Sequence, residues 1–586
     1  MKDMKKMKTN KLMRVISFAV MALAIAACKN ELNVGNPNAP SLETNIVNEK
    51  GLTTLAKGVI YTNGFQNGEN VPAFTWLGDS YFSLNYGYSE LLGDMLGADA
   101  ANELISVINV PDYVILDDGV TKIVNTSPNI PLLRKYNTRA QTGAGYNPTY
   151  FQWLNAYAMI NGCNVVLSHT DEIPYIGDKV SKANTVKAWC YWWKGWAYAA
   201  VGSLYYSGLI IDKVDPTNEN FSEGNNNYVL HDQVIAASDK FYTKADSILG
   251  TINSAADYSE VLGNLIPAYF HTGHGNPPSI AEWKRNIKTM LARNILVNKL
   301  SPFVNGNLNA TIAKSSTTTM STTDWNNVLA LATAGIQSSD NVFSGVSADN
   351  NPVFSTGGGT VSAMSVGTND GSTFKISERL VQNFKASDKR LTGNFDNSLV
   401  YSNRNFGTRW SLNDGGATPP AVGTIAYGNL NAGEYECFIG SSYEENMLMI
   451  AEAKIRLAAN QTQIDDGLTY VDAVRAYQGA GVPAVSGTSL TQVQALTELV
   501  KERRVALVFR GLSFYDSRRW GWTYDIANGG GSYGNAFLHN DGSTNGVLNT
   551  NATISYNFLD YWDVPADEAV LNPPSSNGAA VKNPNF

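Results

Sequence analysis

Cysteine is scarce, with four residues in a chain of 586, at Cys28, Cys163, Cys190 and Cys437. The three beyond Cys28 cannot all pair, and Cys163 and Cys190 sit in apolar helical patterns, so buried free thiols are expected rather than a disulfide framework. Histidine is scarcer still for a metalloprotein, with five scattered residues. His271 and His274 in HTGHG could reach one ion, but the glycines and the lack of nearby acidic ligands argue against a metal, and no cofactor is expected. Charged residues make up only 16% of the chain, and no basic stripe interrupts its net charge of −8, which argues against nucleic acid as a partner. No G-x-S-x-G, H-E-x-x-H or P-loop occurs, and no G-x-G-x-x-G opens a helix after a strand, so no catalytic constellation is recognisable. Only paired carboxylates, which any two of the 51 acidic residues could form, leave a glycosidase open. Asp117-Asp118-Gly119 and Asp465-Asp466-Gly467 lack the alternating oxygens of a calcium loop and read as turn and helix-start residues.

Aromatic residues, by contrast, reach 11%, and Gly, Asn, Ser and Thr fill the spaces between periodic segments. That mixture suggests long ordered loops laid over a helical frame. The N-terminus reads as an export signal: Lys2, Lys5, Lys6, Lys8, Lys11 and Arg14 precede an apolar run, Val15 to Ala27, too short to be a normal spanning helix. It ends in Ile25-Ala26-Ala27-Cys28, a bacterial lipobox pattern in which small residues suit the signal peptidase and the Cys28 thiol accepts the lipid. Residues 1–27 are then a signal peptide, 28–48 an extended Asn-, Pro- and Ser-rich tether, and 49–586 a single body. Scaffold helices are expected mainly in 49–62, 149–300 and 440–525, and loop-rich regions at about 64–148 and 301–435.

Helical spacing is readable at 52–61 and from Tyr150, where Phe151, Leu154, Ala158 and Met159 lead into Cys163. Val186, Trp189, Cys190, Trp193, Ala197, Val201 and Leu204 mark a further helix, whose tryptophans, Trp192 and Trp196 included, read as core. More helices follow at 231–249, 282–300 and 323–336. Ser441–Ala459 and Asp465–Tyr477 form a pair, with Leu448, Ala451, Ile455 and Ala458 set against Tyr470, Ala473, Val474 and Tyr477. The pair looks like a tetratricopeptide hairpin, although no fixed period recurs elsewhere.

Leu496 to Trp522 carries an unusual load of Glu502, Arg503, Arg504, Arg510, Asp516, Arg518 and Arg519 beside apolar residues at helical spacing. Guanidinium groups pair bidentately with carboxylates and cap carbonyls, so a structural ion-pair network is expected there. The stretch ERRVALVFRGLSFYDSRRWG resembles the ER-x-x-EL-x-F-E-G-x-R-x-x-DLRRWG signature of SusD/RagB-type proteins, with Ala506, Arg510 and Ser513 as departures. The segment 376–391 and the tail, with Val564-Pro565 and Asn583-Pro584-Asn585-Phe586, are similar to further motifs of that family.

The resemblance implies a mainly α fold, a tetratricopeptide-like helix-hairpin scaffold with long irregular ligand-binding loops. It also implies a lipid-anchored place in the outer membrane, facing outward, and a SusC-like TonB-dependent transporter as partner. Sugars present apolar C–H faces and a rim of hydroxyls, so a site needs flat aromatics among polar side chains. Trp76, Asp79, Tyr81, Tyr86 and Tyr88 supply that composition, or else pack their loop onto the body; Arg409 and Trp410 are a second candidate. The expectation is a non-enzymatic binder of oligosaccharide, with neutral glycans mildly favoured. Peptide binding, a surface glycan hydrolase and a purely structural scaffold stand as alternatives.

Overall fold

The computed structural model describes residues 46–61, 87, 89–98, 110–125, 148–271, 273–346, 374–397, 407–412 and 436–586. The fold is mainly α, built from tetratricopeptide-like helix hairpins. The helices that position the rest are α1 (Glu49–Ile60), α2 (Pro148–His169), α3 (Lys179–Leu204), α4 (His231–Leu249), α5 (Ala255–Leu265), α6 (Ile280–Val297) and α7 (Thr322–Thr333). They are followed by the short α8 (Glu378–Val381) and α9 (Lys389–Asn394), then α10 (Tyr443–Leu457), α11 (Gln461–Tyr477), α12 (Gln492–Ala506) and α13 (Ser513–Arg519).

Their starts are written locally. Asn48, Asp178, Ser442 and Asn460 cap α1, α3, α10 and α11 with side-chain oxygens. Ser279 with Glu282, Ser321 with Asp324, and Thr491 with Gln494 form reciprocal capping boxes on α6, α7 and α12. Asp465 and Asp466 are not helix-start residues, because Asn460 begins α11 earlier and leaves both aspartates inside the helix.

The largest core joins α1 to α6 around Trp189, Trp192, Trp193 and Trp283, with Trp196 at its edge. On α2 the inward stripe is Trp153, Ala156, Met159, Ile160 and Cys163, while Leu154 and Ala158 face outward, one step round from the expected face. In the α10–α11 pair, Leu448, Ala451 and Ile455 meet Ile464, Leu468, Val471 and Val474, and Tyr477 is largely outside. The α12 helix packs onto this pair through Leu496, Leu499 and Val500. It ends at Ala506; Phe509 at φ 60° and Gly511 at φ 71° reverse the chain into α13. At Gly511 that left-handed backbone favours the absence of a Cβ.

The C-terminal part also carries strands that helical periodicity does not announce. A four-stranded antiparallel sheet runs in the order β5 (Ser532–His539), β6 (Val547–Ser555), β2 (Tyr113–Ile115), β3 (Lys122–Val124). Separately, β1 (Leu96–Ala98) pairs antiparallel with β4 (Phe374–Ile376), Leu96 opposite Ile376. Asp117 and Asp118 form the turn between β2 and β3, with Asp118 accepting from the Val120 and Thr121 amides. Among the described residues no helix is long and apolar enough to cross a membrane.

Candidate functional site

Ile376 lies opposite Leu96 on one side and forms a bridge with Trp410 on the other. The segment that follows residues 64–88 in sequence is therefore tied, through β1 and β4, to the strand beside Trp410. Ser377 then caps α8 by accepting from the Arg379 amide at 3.2 Å. One turn of helix separates two acid–base pairs, because the neighbouring residues Glu378 and Arg379 choose different partners.

Glu378, 2% exposed at its side chain, accepts the Arg409 backbone amide at 2.9 Å, its Nε at 2.9 Å and its Nη2 at 3.0 Å. The Arg409 side chain remains 45% exposed, so its guanidinium is held in place while its outer edge meets solvent. Thr408 donates its hydroxyl to the Ile376 carbonyl at 2.6 Å and accepts the Trp410 amide at 3.1 Å. Trp410 rests half-buried on the main core, and its indole N–H has no hydrogen-bond partner among the described residues. A fixed guanidinium beside a half-exposed ring is a corner able to hold a polar ligand with an apolar face.

On the other face of α8, Arg379 forms a bidentate pair with Asp94 at 2.6 and 2.9 Å, and the Ser377 hydroxyl donates to the same carboxylate at 3.1 Å. Beyond this pair lies a cavity of about 590 Å³ between α12 and the β5–β6 hairpin. Of the residues singled out from sequence, Arg409 and Trp410 come together in the corner, while Cys28, Trp76, Asp79, Tyr81, Tyr86 and Tyr88 lie outside the described residues. Sequence reasoning missed Glu378 and Thr408. Nothing in ISERLVQ marks Glu378 as the partner of an arginine 31 positions on.

The arginine-rich stretch sits away from that corner, inside the protein. Glu502 accepts from Arg390 at 2.6 and 3.2 Å and from Arg475 at 2.8 Å. Asp516 is shared by Arg503, at 3.0 Å twice, and Arg519, at 2.7 Å. Arg519 also forks onto Glu452 at 2.8 and 2.7 Å; burial pushes that carboxyl up, and the guanidinium more than reverses this, holding it at about 2. Arg510, standing where the signature has an acid, pairs with Glu444 at 3.0 Å. Arg518 donates to the carbonyls of Ser203, Asp560 and Val297, each at 2.7 Å, and Arg504 to those of Gly93 and Asp94, each at 3.0 Å. All six signature residues, Glu502, Arg503, Arg504, Asp516, Arg518 and Arg519, are buried.

His274 donates through Nδ1 at 3.0 Å to the Glu436 carboxylate, a hydrogen bond that holds the imidazole pKa above its usual range, while His271 contacts the Ile266 carbonyl at 2.9 Å. Among the described residues no cluster of His, Cys, Asp or Glu could hold a metal ion.

Fold and geometry together give a helix-hairpin scaffold that carries the Arg409–Trp410 corner as a candidate site. The model of the SusD family matches residues 443–585, which include the whole arginine-rich stretch. In fold it is similar to a SusD superfamily protein from Bacteroides vulgatus, at 12% identity and a TM-score of 0.50, over 90% of this chain and 98% of that one. It is also similar to surface glycan-binding protein A from Bacteroides uniformis, at 13% identity and a TM-score of 0.50, over 90% and 97% of the two chains. No curated protein sequence matches it.

Proposed function

We propose that this chain binds oligosaccharide at the cell surface without breaking bonds in it, and delivers it to a partner TonB-dependent transporter of the outer membrane, acting as a lid. The observation that carries the reading is the Arg409–Trp410 corner. A half-buried ring offers a face to sugar C–H groups, and the Glu378-anchored guanidinium beside it donates to hydroxyls. The match of residues 443–585 to the SusD family model and the likeness in fold to a surface glycan-binding protein support glycan as the ligand class. In this reading Trp76, Asp79, Tyr81, Tyr86 and Tyr88 complete the platform, residues 1–27 are removed on export, Cys28 carries the lipid, and 49–586 is one body.

Binding of the purified protein to a panel of neutral oligosaccharides, acidic oligosaccharides and peptides tests it, with Trp410→Ala and Trp76→Ala alongside. We expect neutral oligosaccharide to bind and each substitution to weaken it about tenfold, the loss of a stacked ring. Binding of peptides alone would replace the glycan reading, and newly formed reducing ends abolished by a single carboxylate substitution would replace the non-enzymatic one.

A further inference from the structure

The cavity of about 590 Å³ behind α8 has walls chemically unlike the Arg409 corner. Its outline follows from an irregular hairpin. The β5–β6 register slips between Ser532 and Asn535 and again between Asn535 and Phe537, and Gly534 takes φ 69°. Bulges of this kind bend a strand and leave room beside it.

Three kinds of group meet there. Trp522 and Tyr533, both half-buried, supply ring faces. Asn305, Asn383 and Asn551 supply amides, which donate and accept in the way paired hydroxyls require. The third kind is charge. The one carboxylate in the wall, Asp94, is already taken up by Arg379. Arg504 gives two hydrogen bonds to carbonyls, which do not neutralise it, and Lys501 pairs with no carboxylate among the described residues. The wall thus carries three cations, Arg379, Lys501 and Arg504, against the single carboxylate of Asp94, in a chain whose net charge is −8. Thr523, 1% exposed, adds a hydroxyl with no partner among the described residues to the same wall.

The geometry points to a second binding site, distinct from the Arg409–Trp410 corner, for a short saccharide bearing a carboxylate. The volume suits a ligand of about two sugar rings, within the several hundred cubic ångströms usual for small-ligand sites. Its rings lie against Trp522 and Tyr533, its hydroxyls meet the amides, and its carboxylate faces Lys501 and Arg504. The site takes its broad ligand class from the glycan-binding reading, but stands on residues that reading does not use.

Calorimetric titration of the full-length protein in detergent with digalacturonate, and with uncharged galactobiose, tests the site, using Lys501→Met and Tyr533→Ala. Digalacturonate is expected to bind more tightly than galactobiose, to weaken as salt is raised, and to lose about tenfold in affinity in either variant. Lys501→Met is expected to leave neutral oligosaccharide binding at the Arg409–Trp410 corner as it was. Equal binding of the two disaccharides, indifference to Lys501, or no heat with either would overturn the proposal. Those failures are separable from failure at the corner, which the longer neutral glycans and Trp410→Ala report.

Discussion

Glu90 is wholly buried where the 89–94 segment meets the turn between α12 and α13. One carboxylate oxygen accepts the Gly511 amide at 3.0 Å and the other has no partner among the described residues. Burial pushes this carboxyl up to about 7, so between the ordinary carboxylate range and pH 7 the folded chain keeps a proton that the unfolded chain has released. Its contribution to stability therefore falls as pH rises through that window. Glu90→Gln mimics the protonated form at every pH, so the variant should match the parent near pH 4.5 and exceed it by about 3 kcal/mol at pH 8. Urea midpoints at the two pH values check this, and a pH-independent difference would contradict it. At this scale the sequence disclosed the clustering of Arg503, Arg504, Arg518 and Arg519 with acids, because charge beside an apolar stripe is visible along the chain. It did not disclose Glu90 or Glu378, whose partners are brought close only by the fold.

The helices were legible because their signals are local: capping oxygens, apolar residues three and four apart, and tryptophans on one side of α3. Their exact faces were less so. On α2 the bulk of Trp153 and the contacts of α1 decide which stripe turns inward, and spacing alone put Leu154 there. The β5–β6 hairpin was not legible at all, since its two register slips break the alternation that marks a strand. The contact of α3 with α4 makes an element-scale prediction. A Cβ added at Gly195 would lie 2.8 Å from the ring of Tyr242, a residue buried on every side. Gly195→Ala should therefore cost about 1–3 kcal/mol by forcing the two helices apart, more than the helix propensity of alanine returns. Chemical denaturation of that variant beside Gly263→Ala, where the added methyl meets nothing within 4 Å, separates the two effects.

For the molecule as a whole, the α-rich architecture and the likeness of its C-terminal part to the SusD family model were readable from motif order, whereas the proposed platform residues Trp76 to Tyr88 lie outside the described structure. Anchoring is a property of the whole chain too. If Cys28 bears the lipid, Cys28→Ala should move the protein from the membrane fraction to the soluble one, and lipid labelling of the variant would refute that reading. The ties between the two ends of the chain carry a further consequence. Ser89, Glu90, Gly93 and Asp94 hydrogen-bond to Ser513, Gly511 and Arg504, partners 410 to 424 residues away. A chain synthesised and translocated from its N-terminus cannot close these bonds until its last portion follows, and such distant closures are slow. If residues 1–27 direct export, threading through a membrane comes before folding, and a nascent chain halted short of Arg504 would stay open to proteases and chaperones along its early segments.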